Sequence, residues 1–136
     1  MIVADTNLVA YLLLGSPEAD LAQRVYRRDP TWAAPVLWRS EFRSILAGYM
    51  RQQGLRLADA WAAEELAEQL LAGREYAVRG DAVLQLVADS PCSAYDCEYV
   101  ALAQELHVPL VTWDRAVLRA FPAVAVGASA FAGGSA

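Results

Sequence analysis

Short apolar runs alternate with helical patterns from one end of this 136-residue chain to the other. Residues 1–4, 31–34, 75–78, 108–112 and 124–126 read as strands, each a brief apolar or β-branched run bounded by turn formers or charge. Between them, 8–14, 18–28, 37–50, 57–72, 81–88, 93–106 and 115–120 read as helices, with Gly15-Ser16-Pro17, Pro30 and Gly73 as stops. Pro109 is compatible with the fourth strand because a proline near a strand's first residue loses little. Strands separated by helices pair in parallel, under helices on both faces. The expected fold is therefore a single α/β domain over residues 1–126, with a short central parallel sheet of about five strands, followed by a loose tail at 127–136. Ligands of such sheets bind outside the carboxyl ends of the strands.

Four acids fall where that rule asks for them. Asp5 ends the first strand, and in isolation it reads as a cap of the following helix. Glu41 lies on the apolar stripe Trp38, Phe42, Ile45, Leu46 and Tyr49. A charge on a core-facing stripe is tolerated when it is paired or binds a cation, and Arg39 and Arg43, two residues away, point to other faces of the helix. Asp96 follows Ser93 by three residues, the spacing of a capping box, and borders the buried face of Val100 and Ala103. Asp114 ends the fourth strand and is placed to cap the next helix. All four can reach one cleft. Two carboxylates about 4 Å apart repel by roughly 4 kcal/mol at an effective dielectric near 20, so four together need a cation or bound protons. All-oxygen ligation selects magnesium or manganese over zinc.

Other residues narrow the chemistry. All 11 basic side chains are Arg, and a chain without Lys cannot use a Schiff base or a P-loop lysine. Cys92, Cys97 and the single His107 lack zinc-ligand spacing, and the two thiols read as reduced, in keeping with a cytoplasmic protein. The run 8–14 is too short to span a membrane. The net charge of −5 argues against a nucleic-acid partner at face value, but much less so if four acids belong to one metal site.

With these residues in place the chain resembles the PIN domain, and within it the VapC-type toxins of bacterial toxin–antitoxin pairs. The resemblance is carried by Asp5-Thr6-Asn7, Leu37-Trp38-Arg39-Ser40-Glu41, the run from Tyr95-Asp96-Cys97 through Ala103, and Leu110-Val111-Thr112-Trp113-Asp114, in that order. No acid of the family pattern is missing. The resemblance implies a catalytic and metal-binding set of Asp5, Glu41, Asp96 and Asp114, supported by Thr6, Asn7 and Thr112. Asp5 and Asp96 would be the principal ligands of Mg2+ or Mn2+, Asp114 a further ligand, direct or through water, and Glu41 a ligand or water-orienting base. The implied reaction is endonucleolytic hydrolysis of RNA, leaving 5′-phosphate and 3′-hydroxyl ends. A homodimer and a cognate antitoxin protein are implied as partners. Arg115, beside Asp114, is a candidate phosphate contact, whereas Arg24, Arg27 and Arg28 fit a solvated helix face better.

Rival readings are weaker. A phosphorylation receiver needs a lysine, and a phosphatase of the haloacid dehalogenase type would show Asp-x-Asp where this chain has Asp5-Thr6-Asn7. The alternative with most weight is a PIN-like binding module with negligible catalysis, acting through protein or RNA partners.

Overall fold

The computed structural model describes residues 1–133. Its elements run β1 (Ile2–Ala4), α1 (Thr6–Leu14), α2 (Ala19–Arg28), β2 (Trp32–Pro35), α3 (Trp38–Gln52), α4 (Leu57–Leu71), β3 (Glu75–Tyr76), α5 (Gly80–Ala88), α6 (Ala94–Leu106), β4 (Leu110–Thr112), α7 (Arg115–Ala120), β5 (Ala125–Gly127) and α8 (Ala128–Phe131). The five strands form one sheet in the order β3-β2-β1-β4-β5. Every pairing is parallel. The expected fold is the observed one.

Strand alternation divides the core between the two faces. Ile2, Ala4, Trp32, Ala34 and Val111 pack with Leu8, Trp38, Phe42 and Leu71 from α1, α3 and α4. Val3, Leu110 and Ala125 pack with Val83, Val100, Leu102 and Val117 from α5, α6 and α7. Successive strand residues thus serve opposite cores, which is why strands of three or four residues suffice to hold two helical layers.

Several boundaries differ from expectation for physical reasons. The first helix starts at Thr6, two residues early, because the Asp5 carboxylate caps it by accepting the Asn7 N–H at 2.7 Å. Pro35 belongs to β2. The Ala34 and Val36 amides bond Arg74 and Tyr76 on the β3 side, and the β1 pairing ends at Ala33, so the missing proline N–H leaves no carbonyl orphaned in the ladder. Pro109 lies just outside β4, though its carbonyl still accepts the Val3 amide at 2.9 Å. Edge strand β3 is only two residues long, and is fixed by side chains. Arg39 grips Glu75 with two nitrogens, at 2.7 and 2.9 Å, while Trp38 Nε1 donates to the same carboxylate at 2.5 Å.

The expected loose tail requires correction. Residues Ala128–Phe131 form α8, Ala128 is buried, and the helix packs against α2 with the Arg28 guanidinium 5.4 Å from the centre of the Phe131 ring. Residues 134–136 of that expected tail lie outside the described residues.

Candidate active site

In this sheet the chain order reverses at β1, which has β2 on one side and β4 on the other. The crevice outside the carboxyl ends of β1 and β4 is therefore the topological switch point. There the structure opens a cleft of about 280 Å³ whose walls include Asp5, Glu41, Asp96 and Asp114, together with Thr6, Asn7, Ser44, Tyr99 and Thr112. The four acids come from four places in the chain: the β1–α1 junction, α3, the first turn of α6 and the β4–α7 junction.

Hydrogen bonds supplied by the local fold fix each acid in place. Asp5 Oδ1 takes the Asn7 amide, and Asp5 Oδ2 takes the Thr112 hydroxyl at 2.5 Å. Thr112 Oγ1 in turn accepts the Asp114 amide at 3.0 Å, and Asp114 Oδ1 caps α7 through the Val117 amide at 3.0 Å. Ser93 Oγ accepts the Asp96 amide at 3.1 Å, the cap expected from their spacing. Glu41 Oε1 accepts the Thr6 hydroxyl at 3.0 Å and the Tyr99 hydroxyl at 2.6 Å, and those two hydroxyls also touch one another.

The electrostatics follow from crowding like charges in a half-buried place. Burial pushes the Asp5 carboxyl above its ordinary range, assisted by the charges of Glu41 and Asp114 and opposed by the Thr112 and Asn7 hydrogen bonds. Asp96 is raised by burial first, with Asp114 and Glu41 adding to it and Ser93 opposing. Glu98, outside the sequence-derived set, is raised by burial and by Glu41. The described ion pairs lie elsewhere: Arg39 with Glu68 and Glu75, Arg43 with Glu64, Arg56 with Asp59, Arg79 with Asp81, and the amino terminus with Asp29. Among the described residues, no cationic side chain lines the cleft.

Of the residues singled out in the sequence, the four acids, Thr6, Asn7 and Thr112 come together here. Arg115 does not. It is exposed at the start of α7 and is absent from the cleft wall. Arg27 and Arg28 are exposed on α2. Cys92 and Cys97 are buried free thiols whose ionisation burial disfavours. His107 closes α6 in the left-handed region at φ 56° and borders a separate groove with Pro109 and Val124, at the opposite ends of the strands. Two cleft residues escaped the sequence reading, Tyr99 and Ser44. A signal for both was present, since each stands three residues after a cleft acid on the same helix face.

As the side chains stand, no group of three or more His, Cys, Asp or Glu among the described residues is set to hold a metal ion. The donor set nevertheless fits one. Four carboxylates with no cationic partner on the cleft wall form an all-oxygen site of the kind hard divalent ions select.

Fold and cleft together define a class: a doubly wound parallel α/β domain whose working end is a pocket of carboxylates. Residues 2–124 match the PIN domain family, and the chain belongs to it. PIN domains are generally nucleases, act on RNA or other nucleic acid, and typically use divalent metals. Among solved structures the chain is similar to PAE2754 from Pyrobaculum aerophilum, with a TM-score of 0.74 and 18% identity over 96% of this chain and 85% of that one. At that identity the likeness concerns the fold. No curated protein matches the chain. No helix among the described residues is long and apolar enough to cross a membrane.

Proposed function

We propose that this PIN domain is a magnesium- or manganese-dependent endoribonuclease, acting in the cytoplasm as the toxin of a type II toxin–antitoxin pair. The observation that carries the nuclease reading is the convergence of Asp5, Glu41, Asp96 and Asp114 on one cleft whose wall holds no cationic side chain. An RNA phosphate entering such a cleft would meet only like charge, so substrate binding itself calls for a counter-ion.

Asp5 and Asp96 are the principal ligands in this reading, with Asp114 beside them. Asp5 still has acceptor capacity, because each carboxylate oxygen offers two lone-pair directions and one neutral donor occupies one of them. Thr112 ties Asp5 to the Asp114 backbone, so two of the proposed ligands are positioned by one hydroxyl. Closure on an ion then requires side-chain rotation within the cleft, consistent with the open arrangement of the acids. A bound divalent ion would supply acidification of a water and counter-charge for the leaving oxygen. Glu41 would be a further ligand or, in this reading, the base that orients that water and takes its proton. Attack by water leaves the 2′-hydroxyl unused, and with the 3′-oxygen as leaving group the P–O3′ bond breaks and the products carry 5′-phosphate and 3′-hydroxyl ends.

The toxin assignment rests on the resemblance of the four motifs. It implies a cognate antitoxin that sets Arg or Lys against the acids, and a homodimer of the enzyme. The binding-module reading draws on the same open arrangement of the acids. The deciding experiment is incubation of the chain with single-stranded RNA in magnesium, in manganese and in EDTA, beside Asp5→Asn. Metal-dependent cleavage that is lost in the variant establishes the enzyme, and absence of cleavage leaves the binding module. Co-expression with the neighbouring reading frame then tests the toxin: growth inhibition that the neighbour fails to relieve would reject it.

A further inference from the structure

The Glu41 carboxylate is gripped on one side only. Both hydroxyls that reach it, from Thr6 on α1 and Tyr99 on α6, end on Oε1, and none of the described hydrogen bonds engages Oε2. Thr6 and Tyr99 are both buried, whereas Glu41 is half-exposed on the cleft wall. Tyr99 follows Asp96 by three residues on α6, so the helix that presents one cleft acid also presents the hydroxyl that holds another.

We infer that Tyr99, assisted by Thr6, is a positioning residue that immobilises Glu41 through Oε1 and leaves Oε2 as the oxygen acting on water or ion. The inference rests on the nuclease reading above, and assigns Glu41 its acting atom. A free glutamate side chain loses rotamer entropy when it is fixed. Two buried donors on one oxygen impose that order before substrate arrives, which is how a base on a flexible stem is kept in productive geometry. The bland alternative is that the three residues are a polar knot joining α1, α3 and α6, with no bearing on how Glu41 works.

The test uses Tyr99→Phe, which keeps the buried ring and removes the hydroxyl, alone and combined with Glu41→Gln. With single-stranded RNA and manganese, Tyr99→Phe should lower kcat about tenfold, the size of one hydrogen bond to a charged group, with KM changed by less than about twofold. In the Glu41→Gln background the same change should have no further effect. Thr6→Val should behave likewise, and thermal midpoints separate lost folding from lost positioning. Equal losses in both backgrounds, or full kcat in Tyr99→Phe, would overturn the inference. A second readout needs no catalysis: the Glu41 side-chain carboxyl resonance in 13C NMR, recorded without metal. It should move and broaden in Tyr99→Phe if the hydroxyl holds the carboxylate, and an unchanged resonance would overturn the inference. Absence of cleavage by the unaltered chain rejects the nuclease reading, and the NMR result then judges the Tyr99–Glu41 coupling on its own.

Discussion

Thr112 donates its hydroxyl to Asp5 at 2.5 Å across the junction of two neighbouring parallel strands, joining residues 107 positions apart in the chain. The same oxygen accepts the Asp114 amide, so one buried threonine couples two cleft acids. Substitution Thr112→Val keeps the shape and removes both bonds. It should destabilise the protein by about 1–3 kcal/mol, the cost of leaving a charged oxygen and an amide without partners. The Asp5 carboxyl, already raised by burial, should rise further once its main opposing hydrogen bond is gone. Urea unfolding at neutral pH checks the first effect and a 13C carboxyl titration the second; a midpoint equal to that of the parent chain would refute the coupling.

Asp96 should make the metal-free protein less stable as pH rises. Its folded-state pKa lies above the ordinary value of 3.8, chiefly through burial. The native state therefore holds a proton that the unfolded chain has released, and stability present below about pH 4 is lost as pH climbs through the raised folded value. Asp96→Asn removes the titration, so in EDTA the variant should equal or exceed the parent at pH 7 and lose that advantage towards pH 4. Thermal midpoints across this range decide it, and a gap that widens towards acid would contradict the assignment. With divalent metal present the variant should not cleave, and survival of activity would reduce Asp96 to the partner of Ser93 in the helix cap.

Much of this site was legible because acids at strand ends and helix starts carry positional information. Asp5 and Asp114 follow apolar runs, and Glu41 interrupts a helical stripe. What stayed hidden depends on contacts between elements. Tyr99 reads as a core aromatic: its spacing from Asp96 marks the cleft side of α6, but nothing along that helix reveals that its hydroxyl crosses to α3. The segment after β5 is small and alanine-rich, which looks unstructured until α2 is known to offer it a surface. Strand ends shifted by a residue or two because pairing with neighbours, more than local propensity, fixes where a three-residue strand stops.

A divalent ion should stabilise the fold. The metal-free cleft holds four carboxylates with no lining cation, and a ligand binding only the native state adds about 2.7 kcal/mol at one hundred times its Kd. Thermal unfolding in EDTA and in millimolar magnesium or manganese is the measurement. Identical midpoints would speak against a shared ion site, and Asp5→Asn should lose most of any shift.

The homodimer is open to a direct test. Leu57 and Trp61 stand one turn apart on α4 and are 50% and 64% exposed, an apolar pair left uncovered in the single chain. Light scattering at micromolar concentration should give about twice the 14.8 kDa of one chain. A mass of one chain at that concentration would reject the dimer.

The last helix should contribute to stability despite its length. Four residues cannot form a lasting helix alone, so α8 persists because Ala128 is buried and Phe131 lies under the Arg28 guanidinium beside α2. Phe131→Ala should cost about 1–2 kcal/mol, less than a fully buried phenylalanine because the ring is part-exposed. Arg28→Met keeps most of the aliphatic stem and removes the cation, and should cost about 0.5–1 kcal/mol, the range of an exposed cation–π contact. Because the two side chains meet, the double variant should lose less than the sum of the single losses. Strict additivity in urea unfolding would show that Arg28 and Phe131 act independently.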